Sequence, residues 1–467
     1  MKTNLLVTGA MVVSLAAGLA QAADGPIQSA FVVLGDNGAA QARVVTTDGA
    51  CPSVQIDGRA IAMTVRAAPG TLPLRTTRST PELSKASEFA VTVCEAPLPR
   101  GKTASVGGRP LPLPVSDPKR IVVIGDTGCR IKTSDSAFQA CNDANLYPFA
   151  KVAASAAAFK PDLVIHVGDY LYRENPCPAG NAGCAGSVWG YGWDSWNADF
   201  FAPGAPLLAA APWAAARGNH ESCNRGGQAW WRIMDARALK AGQDCIDPAN
   251  DGVGDYTDPY AVPLGNGAQL ILLDSSNALN NEIDPASPMG LKYRDMYAKY
   301  SALAAKTPYS IMVQHHPILA FAATEKAGAI TLNPGNLSLL SIFGIGNPWY
   351  VPNSTKLLLA GHVHLFEQLS FSTTHPSQFV AGFSGTQEDI VPLPEKLPDT
   401  TAPAPGARPS AFSSWIDGFG FMTMERTGKE SWSILVHDVD GKVVNRCTAQ
   451  GKVSSCEIAQ VKVPKPG

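Results

Sequence analysis

Five apolar segments of the 467-residue chain are each followed at once by a short polar cluster, and this arrangement constrains the fold most. The segments are 120–125, 162–168, 212–217, 309–314 and 356–360. None alternates regularly between apolar and polar residues, which is typical of buried strands in an α/β fold. The clusters that follow read GDTG, GDYLY, GNHE, HHP and GHVH. We therefore predict an α/β domain whose functional site is assembled from loops at the carboxyl ends of its strands.

The residue types in these clusters point to metal binding, because carboxylate, amide and imidazole groups are common ligands of metal ions. The candidate ligands are Asp126, Asp169, Tyr172, Asn219, His315, His316, His362 and His364. A single Gly-Asp after a strand is commonly only a turn, and two histidines at i and i+2 also occur on half-buried strands. Five such clusters rarely arise from packing alone. His166 lies inside an apolar segment, where a hydrogen-bonded core histidine is the simpler interpretation.

The N-terminal part of the chain and the remainder differ in their sequence patterns. Residues 23–98 contain short β-branched segments separated by Gly, Pro and Asp, which predicts a small all-β domain. Residues 99–118 are rich in Pro and Gly and are predicted to be a linker. Residues 119–467 form the larger domain, with a helix near 146–159 and strand-like segments near the C terminus that are predicted to join the same domain.

Residues 1–22 have the features of a secretory signal peptide: Lys2, a short apolar run, and an A-x-A site that ends at Ala22. The alternative is a membrane anchor, but the run is interrupted by Thr8 and Gly9 and is short for a spanning helix. We predict cleavage near Ala22 and a mature protein that is secreted or periplasmic, with no membrane anchor.

Ten cysteines follow the predicted cleavage site, and an even count in an exported chain indicates disulfide bonds. Pairing sequence neighbours gives 51–94, 129–141, 177–184, 223–245 and 447–456, although sequence alone leaves the connectivity open. The formal net charge is −2, and basic residues never cluster beyond a pair. Nucleic acid is therefore not expected as a structural partner, whereas a small phosphorylated substrate is compatible with this composition.

The complete set of clusters, in this order, resembles the pattern GD…GD…GNH(E/D)…H…GHxH of the calcineurin-like metallophosphoesterase superfamily. The GDxxY formed by Asp169 and Tyr172, and the sequence GHVHLFEQ, resemble the purple acid phosphatase-like branch. The resemblance covers about residues 119–390. It implies an α/β (α+β) four-layer sandwich in which two mixed β-sheets are flanked by helices, preceded here by the small all-β domain.

Carried over residue by residue, the resemblance implies two metal ions that share Asp169. One would be held by Asp126, Asp169, Tyr172 and His364, and the other by Asp169, Asn219, His315 and His362. The family's ligand histidine in the fourth motif stands two residues before Pro, which selects His315 and leaves His316 as a rim or structural residue. A phenolate from Tyr172 favours iron at the first site, and His and Asn ligands suit Zn, Mn or Fe at the second. The alternative for Tyr172 is a core aromatic residue.

These residues imply an exported dinuclear-metal phosphoesterase that hydrolyses phosphate monoesters, in the manner of an acid phosphatase, by in-line attack of a metal-bound hydroxide. His220 is the candidate general acid. Glu221 either orients His220 or is a surface carboxylate, and Arg217 and Arg225 either contact phosphate or are structural. Two alternatives remain: a phosphodiesterase on the same scaffold, and a secreted binding protein whose phosphatase domain is inactive.

Overall fold

The computed structural model describes residues 26–99, 101–391, 393–394, 396–397 and 401–462, and the predicted signal peptide lies outside the described residues. The strands are β1 Ile27–Leu34, β2 Ala40–Thr46, β3 Ser53–Ile56, β4 Arg59–Ala62, β5 Thr64–Ala67, β6 Gly70–Leu72, β7 Ser87–Phe89, β8 Thr92–Leu98, β9 Ala104–Val106, β10 Arg109–Pro110, β11 Arg120–Ile124, β12 Ile131–Lys132, β13 Ala137–Phe138, β14 Leu163–His166, β15 Trp213–Ala215, β16 Tyr260–Gly265, β17 Ala268–Leu272, β18 Tyr309–Val313, β19 Ala322–Lys326, β20 Ala329–Asn333, β21 Thr355–Ala360, β22 Phe366–Phe371, β23 Ser377–Ala381, β24 Pro409–Trp415, β25 Gly420–Arg426, β26 Ser431–Asp438, β27 Val443–Gln450 and β28 Val453–Cys456. The α-helices are α1 Phe149–Ala158, α2 Trp193–Trp196, α3 Ala205–Ala210, α4 Gly227–Ala229, α5 Asp251–Gly254, α6 Pro288–Ala304 and α7 Leu337–Phe343.

The first of two large sheets has eleven strands in the order β28-β27-β26-β25-β11-β14-β15-β1-β2-β8-β5. Its centre consists of β11, β14 and β15, which run parallel to one another. On one side β25 pairs antiparallel with β11, so the C-terminal strands belong to this sheet. On the other side β1 pairs parallel with β15, with Val33 opposite Trp213. Strands from both ends of the chain therefore extend one sheet in opposite directions.

The second large sheet has the order β16-β17-β18-β21-β23-β22-β24, and its four strands β17, β18, β21 and β23 are parallel. The two sheets bury one continuous apolar core between them, which includes Ile121 and Val123 of the first sheet and Ile311 and Val313 of the second. Helices α1 and α3 pack on the outer face of the first sheet, and α6 and α7 on the outer face of the second. The predicted four-layer sandwich is confirmed.

The sequence of β11 shows why its apolar pattern does not alternate. Ile121 and Val123 face the core between the sheets, whereas Val122 and Ile124 face the helical layer, and all four are fully buried. A strand covered on both faces needs apolar residues at every position. The same double burial accounts for the other segments that precede the polar clusters.

The all-β character of the N-terminal part is confirmed, and the structure adds that its strands continue the central sheet. The predicted linker contains β9 and β10, which form a smaller four-stranded sheet with β3 and β4. All five predicted disulfides are confirmed: Cys51–Cys94, Cys129–Cys141, Cys177–Cys184, Cys223–Cys245 and Cys447–Cys456. Among the described residues, no helix is both long enough and apolar enough to span a bilayer.

Candidate metal centre

The polar clusters meet where the carboxyl ends of β11, β14 and β15 face those of β18 and β21. Three of the candidate ligands occupy the left-handed backbone region directly after these strands: Asp126 (φ 53°), Asp169 (φ 59°) and His362 (φ 71°). This conformation is uncommon for residues other than glycine and is often retained at functional sites. It turns the chain sharply, so that each side chain points back towards the gap between the two sheets.

Two glycines allow the clusters to approach one another. A Cβ atom at Gly218 would collide with the carboxylate of Asp169, and one at Gly361 would collide with that of Asp126. The absence of a side chain at both positions therefore determines how closely the second and third clusters, and the first and fifth, can pack.

One group of candidate ligands, which we call the Tyr172 side, surrounds the hydroxyl of Tyr172. Tyr172 Oη lies 2.8 Å from Asp126 Oδ1, 2.8 Å from Asp169 Oδ2 and 2.8 Å from His364 Nε2. These side chains are almost completely buried: Asp126 is 0% exposed, Tyr172 1% and His364 5%. The structure thus brings together the four residues expected to share one metal ion.

The other group, which we call the Asn219 side, surrounds the amide of Asn219. This amide lies 2.9 Å from His315 Nε2 and 3.0 Å from His362 Nδ1. His315 Nε2 is also 3.1 Å from Asp169 Oδ2, the same oxygen that faces Tyr172. Asp169 therefore belongs to both groups, as expected for a shared ligand.

The donor sets on both sides fit a cation. The Tyr172 hydroxyl has one proton but three close neighbours, and two of these are carboxylate oxygens, which only accept hydrogen bonds when ionised. His315 and His364 each direct Nδ1 at a backbone carbonyl, that of Val167 at 2.9 Å and that of Gln387 at 2.9 Å. The bond at Nδ1 holds each ring in the orientation that metal-binding histidines adopt, with Nε2 turned inwards, where a bound cation would displace its proton.

The fixed charges of the centre shift its pKa values strongly. Although burial lowers the pKa of His315, the carboxylate of Asp169 raises it to about 9. Burial raises the pKa of Tyr172 well above its usual value, and Asp126 and Asp169 raise it further. Loss of the phenolic proton therefore requires a compensating positive charge beside Tyr172, which a bound metal ion would supply.

Two buried carboxylates that do not belong to the ligand set hold the loops in place. Glu221 accepts hydrogen bonds from the backbone N–H groups of Asp169, Tyr170 and Gly218 at 2.9–3.1 Å. It is 0% exposed, so it is not a surface carboxylate, and the His220 ring contacts Leu171 and Glu174 instead. Asp199 accepts from the backbone N–H of Tyr172 at 2.8 Å and was not identified from the sequence.

His220, the candidate general acid, lies beneath the centre. Its ring packs on Tyr172 with 3.8 Å between centroids, and its Nδ1 lies 3.0 Å from the carbonyl of Leu171 and 3.0 Å from the carboxylate of Glu174. Its Nε2 is 3.8 Å from Asp169 Oδ2. Burial, followed by the charge of Arg225, lowers the pKa of His220 to about 4.

The remaining candidates differ in their roles. His166 is buried, and its Nε2 lies 3.1 Å from Thr127 Oγ1, as expected for a core histidine. Arg217 donates to the carbonyls of Glu221 and Gly254, each at 2.8 Å, and is structural. Arg225 is paired with the buried Glu174. Glu174 stands two residues after Tyr172, and only this proximity to a motif could have drawn attention to it in the sequence.

The Asn219 side opens onto two cavities that share His362 and Asn280. The first, which we call the cationic cavity, has a volume of about 410 Å³; its lining includes Asn219, His316 and His362 near the centre, and Arg78, Lys132 and Arg225 beyond them. The second, which we call the apolar cavity, has a volume of about 320 Å³ and is lined mainly by Pro317, Ala320, Phe321, Pro334 and Leu337. The described residues that line these two cavities do not include Asp126, Tyr172 or His364.

Comparison with known proteins is consistent with this arrangement. Residues 119–366, just over half of the chain, match the calcineurin-like phosphoesterase family. The fold is similar to that of purple acid phosphatase PPD1 from yellow lupin (Lupinus luteus) seeds, with a TM-score of 0.51 at 14% identity, covering 92% of this chain and 74% of that one. It is also similar to PhoD, with a TM-score of 0.51 at 12% identity, covering 94% of this chain and 93% of that one. No curated protein sequence matches significantly.

Proposed function

The chain belongs to the calcineurin-like phosphoesterase family, and on that premise we propose that it hydrolyses phosphate monoesters in the manner of an acid phosphatase. Membership of the family implies a metal-dependent phosphoester hydrolase with a dinuclear centre. The observation that carries the proposal is that the seven predicted ligand side chains form two groups that share Asp169 Oδ2. An inactive binding protein would be expected to have lost some of these ligands, and here every position is filled.

Two metal ions bound at these groups would polarise the phosphoryl oxygens and acidify a water molecule for in-line attack. The protein's own residues fix the geometry around them. Asp126 and Asp169 each use their second carboxylate oxygen to accept a backbone N–H, that of His362 at 3.0 Å and that of His220 at 2.8 Å. Each carboxylate therefore keeps one oxygen for the centre and is prevented from rotating.

His220 is our candidate for the proton donor to the leaving group. Leu171 and Glu174 lie at its Nδ1, and its Nε2 is 3.8 Å from Asp169 Oδ2 and 2.6 Å from Nη2 of Arg225. Because burial and Arg225 lower the pKa of His220 to about 4, the ring carries the proton it would donate only at acidic pH, where we place the optimum. A general acid must lie within hydrogen-bond reach of the leaving oxygen, directly or through one water. At the metals, we propose iron on the Tyr172 side and Zn, Mn or Fe on the Asn219 side, because phenolate is a hard ligand and imidazole an intermediate one.

A phosphodiesterase is the second candidate, and the apolar cavity favours it. Because both cavities adjoin His362, a diester could place one substituent in each of them. The monoester proposal rests instead on the Tyr172 side, where the Tyr172 hydroxyl faces Asp126, Asp169 and His364 as the purple acid phosphatase-like pattern GDxxY implies.

The test compares 4-nitrophenyl phosphate with bis(4-nitrophenyl) phosphate from acidic to neutral pH, alongside metal analysis of the same preparation. We expect about two metal ions per chain and faster turnover of the monoester, with an acidic optimum. Faster turnover of the diester would select the phosphodiesterase. Fewer than two metal ions with no turnover of either ester would favour the binding protein.

We also propose that the protein is exported after cleavage near Ala22, because its ten cysteines all form disulfides, which are characteristic of oxidising compartments. Intact mass and N-terminal sequencing of the protein from the secreted or periplasmic fraction test this. An uncleaved N terminus in that fraction would contradict it.

A further inference from the structure

A segment of the N-terminal part, residues 75–80, is built into the wall of the cationic cavity. Arg75 donates to the carbonyl of Cys245 at 2.7 Å, and Ser79 Oγ donates to the buried carboxylate of Glu174 at 2.8 Å. Thr80 Oγ1 lies 3.1 Å from Asn175 Oδ1, and the backbone N–H of Arg78 reaches the carbonyl of Asn224 at 3.3 Å. These bonds attach the segment to the loops that follow the second and third polar clusters.

Arg78 is the exception among the basic residues of this cavity. Arg225 is paired with Glu174, and Lys132 lies 3.0 Å from Asp135. The side chain of Arg78 is exposed to the cavity, and within the described part of the chain no carboxylate or carbonyl accepts a hydrogen bond from its guanidinium. Burial, followed by the charge of Arg225, lowers the pKa of Arg78, and the carboxylates of Asp255 and Glu174 offset only part of this effect.

We propose that Arg78 binds a second anionic group carried on the leaving group of the substrate, so that the N-terminal part helps to select the substrate. The inference rests on the proposed monoesterase activity, since it places the scissile phosphate at the Asn219 side. A planar guanidinium with free N–H groups is well suited to a carboxylate or a phosphate.

The size of the cavity supports a small substrate of this kind. A volume of about 410 Å³ accommodates a phosphate and a leaving group of a few carbon atoms. Asn219 and His362, which belong to the metal centre, and Arg78, which does not, line the same cavity and would bind the two ends of one molecule. The substrate class is a short phosphorylated hydroxy acid or a short bisphosphate.

The experiment compares three phosphate esters of nearly equal size: glycerol 3-phosphate, 3-phosphoglycerate and glycerol 1,3-bisphosphate. The first has a neutral leaving group, the second adds a carboxylate and the third adds a phosphate. For the metal-loaded wild type we expect kcat/KM to be about tenfold higher for one of the two doubly anionic esters than for glycerol 3-phosphate. The preferred ester shows whether the second anionic group is a carboxylate or a phosphate.

In Arg78→Gln this preference should fall to about one, while kcat/KM for glycerol 3-phosphate stays within about twofold of the wild type. Arg59→Gln is the matched control, because Arg59 is an exposed arginine of the N-terminal part outside the cavity. Equal rates on all three esters in the wild type would overturn the inference, and so would an equal loss on all three in Arg78→Gln.

Calorimetric binding of the same three esters to the metal-loaded protein separates this inference from the proposed activity. If none of them is hydrolysed, the monoesterase proposal fails, but tighter binding of a doubly anionic ester that is lost in Arg78→Gln still supports the site. Equal dissociation constants for the three esters, or constants unchanged in Arg78→Gln, would exclude the site whatever the activity.

Discussion

The two sides of the metal centre share Asp169 but differ in their surroundings. On the Tyr172 side, Asp126, Tyr172 and His364 are enclosed by protein. On the Asn219 side, Asn219 and His362 are only partly covered and line the cationic cavity, and His362 also lines the apolar cavity. Burial determines which ligands a substrate can reach, so the Tyr172 side is suited to retaining an ion and the Asn219 side to receiving the phosphate ester. Substitutions should therefore act differently on the two sides.

The largest loss of activity is expected at Asp169, which both sides share. Asp169→Asn removes the charge shared by both groups and should lower kcat/KM by about 10³-fold or more, with loss of metal from both sides. Metal analysis and kinetics on the same preparation measure this. Asp440→Asn, at an exposed turn, is the control. Retention of both ions with near-normal activity would show that Asp169 is not the shared ligand.

On the Asn219 side, the two adjacent histidines should behave differently. His315→Ala should reduce the metal content from about two ions to about one and lower kcat/KM by about 10²–10³-fold, because its Nε2 faces both Asp169 and Asn219. His316→Ala should keep both ions and mainly raise KM, because His316 lines the cationic cavity. Loss of metal only in His316→Ala would reverse the assignment.

His220 packs on Tyr172, but we propose that it donates a proton to a leaving group at the Asn219 side. Substitution of His220 tests this role. His220→Gln should lower kcat by about 10²-fold for alkyl phosphates but only slightly for 4-nitrophenyl phosphate, whose leaving group needs no proton. His375→Gln is the control, since His375 bonds to Pro348 away from the centre. An equal loss for both kinds of ester would indicate a positioning role for His220.

Within the enclosed side, Tyr172→Phe removes the phenol and should lower kcat by about tenfold while leaving the fold intact. In the iron-loaded protein, the visible phenolate-to-iron absorption band should disappear. Tyr300→Phe removes a distant buried hydroxyl, which lies 2.6 Å from Thr355 Oγ1, and should leave the band unchanged. A wild-type protein that binds iron and never shows the band would leave Tyr172 as a packing residue.

An effect on stability, with no change expected at the metal centre, concerns the wall of the apolar cavity. Glu367 accepts the backbone N–H of Phe321 at 2.9 Å, and burial raises its pKa from 4.5 to about 8. Because the folded state holds this proton more tightly, its stabilising effect is complete below about pH 4.5 and is lost as the pH rises through about 8.

Glu367→Gln should therefore flatten this dependence, with a difference in the free energy of unfolding on the order of a few kcal/mol between the ends of the range. Urea denaturation at several pH values measures it, with Glu425→Gln at an exposed position as the control. Parallel pH profiles for the wild type and Glu367→Gln would contradict the raised pKa.

The clustering of the proposed ligands could be predicted because they follow doubly buried strands, and both signals are local. Asp126 stands two residues after the end of β11, and Asp169 three residues after the end of β14. The neighbour pairing of the cysteines is also a short-range property. Strand ends are harder to predict: the β-branched stretches 61–65 and 89–93 each overlap two strands, because Met63 and the residues at 90–91 interrupt the pairing.

Residues that act through long-range contacts could not be predicted. Arg78 is 141 positions from Asn219 in sequence, and only the folded chain places both in the cationic cavity. Glu174 and Asp199 look like ordinary loop carboxylates until burial and their hydrogen bonds are known. The pairing of β1 with β15 could not be predicted either, because a local sequence pattern does not determine which strand of a sheet another strand pairs with.

That pairing has a consequence for any attempt to isolate the catalytic core. A fragment limited to residues 119–366 would lack β1 beside β15 and β25 beside β11, so both flanks of its central sheet would become free edges. Unpaired backbone groups and uncovered apolar surface at such edges promote aggregation. Such a fragment should be insoluble even though it contains every proposed metal ligand. By covering the two edges, the N-terminal and C-terminal strands therefore prevent self-association of the central sheet.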